Sequence, residues 1–493
     1  MPIGSGQQPH YRRAPKSAPK SAAIRSSAHV RPKRRGPKPI PSSASKPARP
    51  RARRRMPIFP FIAAAAVVLL AVFVLPAACS ILRPTGKNLT STPAGDSTVG
   101  SIDIAKRIES ELAAASVKAV AQTRNPPFRI LDAGRTTETG DGRVTFSAVG
   151  DNLYNKNLLD LADAHAGSVG DNQYDFAPFY QDIKKLVRSY DVSFINQETT
   201  LGGPDRYGYN GYPSYNTPDS LADTVADVGW RVVNTNSNHT YDTWVPSIEH
   251  AQGVWNAKRD KLFTIGSYTS KEDRQSVRMV ECNGLRIAFL SYSYGQNGYT
   301  QADLPNDYYA VPYTTEGMQT DVKRARKYAD AVVVYLHAGE EYKHDPSEQQ
   351  RTWAAECAAA GVDLVIGSHV HVIQPMEWLP AADGGKMLAV YGLGDFLSGY
   401  HNYPETILSG MFSCTFERVK EPKEGARRVA VKDVKWIPLI EHWEGGDSTV
   451  RTVKGYTDEQ ARTNELLAGL GDPLGWIRQT TQNVIGADFE IDM

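Results

Sequence analysis

Five apolar runs in this 493-residue chain end alike, and that recurrence restricts the folds open to it. VTFSAVGD closes on Asp151, VSFINQE on Glu198, RVVNTNSNH on Asn238 and His239, AVVVYLH on His337, and LVIGSHVH on His369 and His371. From Arg143 onward such β-branched or apolar runs alternate with stretches of helical periodicity, the signature of an α/β layered domain. Ligands of open α/β sheets collect beyond the carboxyl ends of strands, so these residues are predicted to converge on one site. Imidazole nitrogens combined with carboxylate and amide oxygens suit one or two divalent ions such as Zn, Mn or Fe. Each residue alone has a plainer reading: an Asp after Gly is often a turn former, and a His at a strand end is more often hydrogen-bonded structure. His369 and His371 share a face only if the segment stays extended, although a loop starting at Gly367 and Ser368 can also bring them together.

The charge is divided along the chain. Residues 1–55 hold 16 Lys or Arg, no Asp or Glu, and 10 of the 31 prolines. That composition cannot bury a core and is expected to be disordered. It serves either as electrostatic attachment to anionic lipid or nucleic acid, or as an extended topology signal. The remainder carries 40 basic against 54 acidic residues. An acidic body of this kind is not expected to bind nucleic acid, and it would repel a polyanion unless a local patch or a bound metal intervened.

Between Arg55 and Arg83 the 27-residue run MPIFPFIAAAAVVLLAVFVLPAACSIL has no ionisable acid or base. It exceeds the roughly 20 residues needed to cross a bilayer, and one transmembrane helix is expected over 58–82. Arg51, Arg53, Arg54 and Arg55 place its amino-terminal side in the cytoplasm, which leaves the large carboxyl-terminal part outside the cell membrane. The positive region and the apolar run are both long for a cleaved signal peptide. Residues 83–142 read as a linker and a stalk helix over 101–123, residues 143–445 as the main domain, and residues 446–493 as a carboxyl-terminal extension. Cys79, Cys282, Cys357 and Cys414 show no metal-binding spacing, and one disulfide among the last three is left open.

Two helices are predicted from their ends. In TPDSLADTVADVG, Thr217 is the expected N-cap, Pro218 the first turn and Gly229 the left-handed stop, with a strand over 230–233. In DPSEQQRTWAAECAAAG, Asp345 is expected to cap, Glu348 to complete the capping box and Gly361 to end the helix before a strand over 362–366. Residues 411–443 alternate as closing strands. Tyr207, Tyr209, Tyr212 and Tyr215 sit on a glycine-rich stretch that either lines a binding surface or packs down on the domain. Glycine-rich nucleotide signatures, GxSxG and P-loop patterns are absent, which argues against an ATP-driven ligase in this chain.

In order along the chain stand Gly150-Asp151, Asn196-Gln197-Glu198, Asn238-His239 with Asp242, His337-Ala338-Gly339-Glu340-Glu341-Tyr342, Gly367-Ser368-His369-Val370-His371 and Tyr391-Gly392-Leu393-Gly394-Asp395-Phe396. With these motifs the chain resembles the CapA-type capsule synthesis family, associated with poly-γ-glutamate production, within the calcineurin-like metallophosphatase superfamily. The resemblance runs from about Arg143 to Tyr400. It implies a four-layer α/β/β/α sandwich, with Asp151, Glu198, Asn238, His337, His369 and His371 as metal ligands. It also implies His239 as a proton donor or charge stabiliser, oriented by Asp242. The superfamily's first motif is Asp-x-His, whereas Leu153 stands here at the third position, and Glu198 stands where Asp is usual. Asp395 replaces the more usual Asn and either adds a carboxylate near the site or caps a turn. The implied role is synthesis, export or attachment of an anionic envelope polymer by a metal-dependent hydrolase working with polymer-synthase membrane subunits. The alternatives are a non-catalytic scaffold of such a synthase and a general phosphodiesterase.

Overall fold

The computed structural model describes residues 128–132 and 141–493, apart from 206, 401–402, 421 and 423–427. The basic tail, the expected membrane helix and the stalk helix lie outside the described residues. Among the described residues no helix is long and apolar enough to cross a membrane.

The strands, in chain order, are β1 (Phe128–Asp132), β2 (Arg143–Asn152), β3 (Val192–Gln197), β4 (Val232–Asn234), β5 (Phe263–Ile265), β6 (Val277–Cys282), β7 (Leu285–Ser293) and β8 (Ala331–His337). They continue with β9 (Leu364–Ser368), β10 (Met376–Pro380), β11 (Lys386–Val390), β12 (Asp395–Leu397), β13 (Leu408–Arg418), β14 (Val429–Glu444), β15 (Asp447–Thr452) and β16 (Glu490–Ile491). The helices are α1 (Lys156–His165), α2 (Lys184–Val187), α3 (Leu221–Val228), α4 (Trp244–Asn256), α5 (Lys271–Gln275), α6 (Thr315–Ala325), α7 (Glu348–Ala359), α8 (Asp458–Thr463) and α9 (Pro473–Ile485).

Two mixed sheets form from these strands. A seven-stranded sheet runs β1-β6-β7-β8-β9-β11-β10, and a nine-stranded sheet runs β15-β14-β13-β2-β3-β4-β5, with β12 on β2 and β16 on β14. Strand alternation divides their side chains between two environments. Phe146, Phe194, Phe289, Val333 and Ile366 face the gap between the sheets and make one apolar core. Val149, Ile195 and Val233 face the other way, against α1, α3 and α4. On the far side Val332, Val334 and Val365 meet α6 and α7. The result is the α/β/β/α sandwich that the resemblance implies. At its centre the Phe146 ring lies 6.0 Å from Phe289 and 5.7 Å from Phe416.

Several sequence expectations are refined. The helix expected from Pro218 begins at Leu221, with Ser220 rather than Thr217 at the N-cap position, and the Thr217 hydroxyl donates to Thr199 Oγ1 at 2.8 Å. Gly229 ends it in the left-handed region at φ 119°, and the following strand is shifted to β4. In α7 the cap is Ser347 rather than Asp345, and Gln350 rather than Glu348 closes the capping box, because the helix starts at Glu348, two residues later than expected. The strand after α7 is β9, two residues later than expected. The segment 446–493 adds β15 and β16 to β14 and sends Ile477 and Ile485 into the inter-sheet core. Likewise β1, within the stretch read as linker and stalk, pairs with β6. Cys282, Cys357 and Cys414 are buried and form no disulfide with one another.

Candidate metal centre

The carboxyl ends of β2, β3, β8 and β9 meet at one end of the sandwich. Two glycines allow the approach. A Cβ on Gly150 would stand 1.9 Å from the Gly394 carbonyl oxygen, and one on Gly367 would stand 2.1 Å from that of Tyr391. The glycines just before Asp151 and Ser368-His369 are therefore a requirement of close backbone contact. Asp151 N donates to Gly394 O at 3.1 Å, and the Asp151 Cα faces that of Asp395 across the β2–β12 pair.

Two donor clusters result. Glu198, His337 and His369 offer ligand atoms within 4.8 Å of one another, and so do Asp151, Glu198 and His371. Glu198 belongs to both. Asn238 joins the first cluster, its Oδ1 lying 2.8 Å from His337 Nε2, which is itself 3.6 Å from Glu198 Oε1. Tyr335, two residues back on the same strand face, hydrogen-bonds the other ring nitrogen of His337 at 2.9 Å and fixes the ring. The exposed Glu341 makes a third group with His369 and His371.

The His369-x-His371 pair is not extended. β9 stops at Ser368, and both histidines hold positive φ, 100° and 61°, in a region unfavourable for residues with a Cβ. The bend parts their rings, whose centres are 6.0 Å apart. His369 turns towards His337, 4.8 Å between ring centres, and His371 towards the carboxylates. His371 Nδ1 lies 2.8 Å from Asp395 Oδ1 and 3.7 Å from Asp151 Oδ2. Asp395 thus stands in the site.

A relay of amides orients Asp151. Ser291 Oγ donates to Asn234 Oδ1 at 2.5 Å, Asn234 Nδ2 to Asn196 Oδ1 at 2.6 Å, and Asn196 Nδ2 to Asp151 Oδ1 at 2.6 Å. Ser368 Oγ donates to the same carboxylate. Glu441, on β14, accepts from the backbone N–H groups of Ser398 and Gly399 at 3.0 and 3.1 Å and from the Trp443 indole at 2.6 Å, holding the turn after β12. Burial raises its carboxyl to about 7. Sequence reading did not single out Tyr335, Asn234, Ser291 or Glu441 as functional. A polar residue two positions before a strand-end donor was the available signal for Tyr335; Glu441 offered none.

The electrostatics separate the histidines. Burial, reinforced by neighbouring imidazoles, holds His337 well below the usual range and His369 at about 3. Burial acts the same way on His371, but the adjacent Asp395, and then Glu198 and Asp151, outweigh it and raise His371 well above the usual range. Burial and then the Asp151 charge push the Glu198 carboxyl well up. These strains fit a cation. Glu198 Oε1 and His369 Nδ1 are buried without hydrogen-bond partners. Asp151, Glu198 and Asp395, each at most 2% exposed, make no ion pair with Lys or Arg among the described residues. A divalent ion would satisfy both deficits.

A cleft of about 680 Å³ reaches the site at His371 and Asp395, with Tyr215, Tyr342, Tyr400 and Leu153 among its other lining residues. His239 borders it. His239 Nδ1 lies 2.7 Å from Asp242 Oδ2, which also accepts from Tyr215 N at 2.8 Å, and the Tyr215 ring meets His239 edge-on at 4.7 Å. Of the loop tyrosines, Tyr212 and Tyr215 line the cleft, whereas Tyr209 packs on Tyr174.

Residues 145–400 match the family described as bacterial capsule synthesis protein PGA_cap. The chain belongs to this family, and its type is that of the CapA proteins. It is 30% identical over 173 residues to the PGA biosynthesis protein CapA of Bacillus subtilis (strain 168), covering 35% of this chain and 44% of that one. It is 22% identical over 261 residues to the capsule biosynthesis protein CapA of Bacillus anthracis, covering 52% and 60%. The chain therefore spans about half the length of these curated relatives. Among solved structures, the NAD nucleotidase of Haemophilus influenzae is similar at a TM-score of 0.38 and 9% identity, over 69% of this chain and 67% of that one. At that level the likeness carries no argument.

Proposed function

We propose that the chain is a membrane-anchored hydrolase that acts at the cell surface on an anionic envelope polymer of the poly-γ-glutamate kind, or on its phosphoester linkage, during synthesis, export or attachment. The observation that carries this reading is Glu198, shared by two donor clusters, one of which presents His371 to a cleft also lined by His239, the partner of Asp242. Asp151, Glu198, Asn238, His337, His369 and His371 would hold a divalent ion there, which would supply Lewis acidity. The chain's own residues do the rest. Asp242, fixed by Tyr215 N, accepts from His239 Nδ1 and orients the ring. Nε2, 3.4 Å from the Asn297 amide, is left to hand a proton to a leaving oxygen at the cleft. The cleft lining contains no Lys or Arg, so an anionic group entering it is recognised at the metal positions, and the tyrosines contact the rest of the substrate.

Anchoring through the apolar run at 56–82, amino terminus inside, accounts for the basic tail and leaves the acidic body facing the envelope, where polymer-synthase membrane subunits are the expected partners. A scaffold reading is favoured by one residue: Leu153 offers the cleft no donor. Metal content and turnover separate the two. The full-length chain should hold about two ions, and His337→Ala and His369→Ala should each lower that number without unfolding the chain. His239→Ala should keep the metal and lose turnover of polymer or of a phosphodiester. Unchanged metal in both histidine variants removes the proposed site, and metal binding without any turnover favours the scaffold.

A further inference from the structure

The two donor clusters differ in chemistry. One side of Glu198 holds His337, His369 and the Asn238 amide; the other holds Asp151 and His371. Asp395 is placed against the second. Its Oδ1 lies 2.8 Å from the same His371 nitrogen that faces Asp151 at 3.7 Å. Its Cα is the β-ladder partner of Asp151, and the Glu441 carboxylate pins the backbone that follows. Leu153, whose N–H donates to Leu397 O at 2.9 Å in the same strand pair, lines the cleft beside Asp395 and His371 with an apolar side chain. The donor this neighbourhood would otherwise lack is thus available from β12. Asp395 is 1% exposed, and its carboxylate, with those of Asp151 and Glu198, has no Lys or Arg ion pair among the described residues.

We propose that Asp395 is a direct metal ligand, the fourth donor of a carboxylate-rich position completed by Asp151, Glu198 and His371, and that the two positions prefer different ions. This rests on the metal-centre reading given above. Three carboxylates and one imidazole make a hard, highly charged set suited to Mn²⁺. One carboxylate, one amide and two imidazoles make a nitrogen-rich set suited to Zn²⁺. The shared Glu198 joins them, and the pair is a mixed Mn–Zn centre.

The test uses the full-length chain, stripped with chelator and retitrated with MnCl₂ and ZnCl₂ together, read by elemental mass spectrometry and Mn²⁺ electron paramagnetic resonance. The wild type should take about one ion of each kind. Asp395→Asn should keep Zn²⁺ and lose Mn²⁺, with Mn²⁺ affinity falling by more than the roughly 10- to 100-fold that a merely orienting neighbour contributes. Adding Leu153→His to Asp395→Asn should restore the second ion. Retention of Mn²⁺ by Asp395→Asn with an affinity loss of about 100-fold or less overturns the ligand assignment alone. Equal occupancy of both positions by one ion overturns the preference, and a wild type that binds neither ion overturns the metal centre itself. Should Asp395→Asn fail to fold, anomalous diffraction at the Mn edge on wild-type crystals decides. A peak about 2.0–2.6 Å from an Asp395 oxygen supports the assignment, and a peak beyond bonding distance overturns it.

Discussion

The two sheets bring different chemistry to their shared end. The nine-stranded sheet and its loops carry the acids and amides, Asp151, Glu198, Asn238 and Asp395, whereas the seven-stranded sheet carries His337 at the end of β8 and His369 and His371 after β9. Each cluster that contains Glu198 draws its imidazoles from one sheet and its carboxylates from the other. The centre exists only where the sandwich closes, so the apolar gap between the sheets is also what sets donor distances.

Opening that gap should have the largest effect. Phe146→Ala removes a fully buried ring wedged between Phe289 and Phe416 and should cost about 3–5 kcal/mol. Urea unfolding checks this, and metal uptake should fail together with the fold. If uptake survives at full affinity in a variant destabilised by that amount, the sheets do not need to stay in register for the site. Next in size, Glu198→Gln should separate site from fold. It should weaken both ions by about 100-fold or more, yet the metal-free chain should gain stability, because a buried carboxylate beside Asp151 and Asp395 is neutralised. Calorimetry with and without metal reads both signs; a loss of metal-free stability would show that the carboxylate is held by something other than an ion.

Tyr335→Phe sharpens the contribution of the seven-stranded sheet. Losing the 2.9 Å bond to His337 should weaken binding in the imidazole-rich cluster by about 10- to 100-fold and leave the carboxylate cluster unchanged. Equal weakening of both clusters, by titration calorimetry, would count against their independence. The smallest effect is expected far from the seam. Thr457→Ala removes the capping box of α8 with Gln460 and should cost about 1 kcal/mol with metal affinity unaltered.

Much of this was legible in the chain. Short β-branched or apolar runs pointed to the strands, and their endings held seven candidate residues, six of which the resemblance implies as metal ligands, because a strand end is a local feature. Helix starts were less legible. Thr217 and Asp345 looked like caps, but the helices start later along the chain, which puts Ser220 and Ser347 at the N-cap positions. The segment 446–493 looked separable only because nothing local announces that β15 and β16 join β14.

By itself the sequence determined the α/β class and the family, since these depend on residue type, spacing and order. Tertiary structure alone decided how the donors are shared. It sent His369 to His337 and His371 to Asp395 through left-handed bends, put Glu198 between two clusters, and gave Glu441 a turn to hold. The physical reason is that these relations are set by strand order and sheet stacking, which join residues more than 200 positions apart, such as Asp151 and His369, at distances that no local pattern encodes.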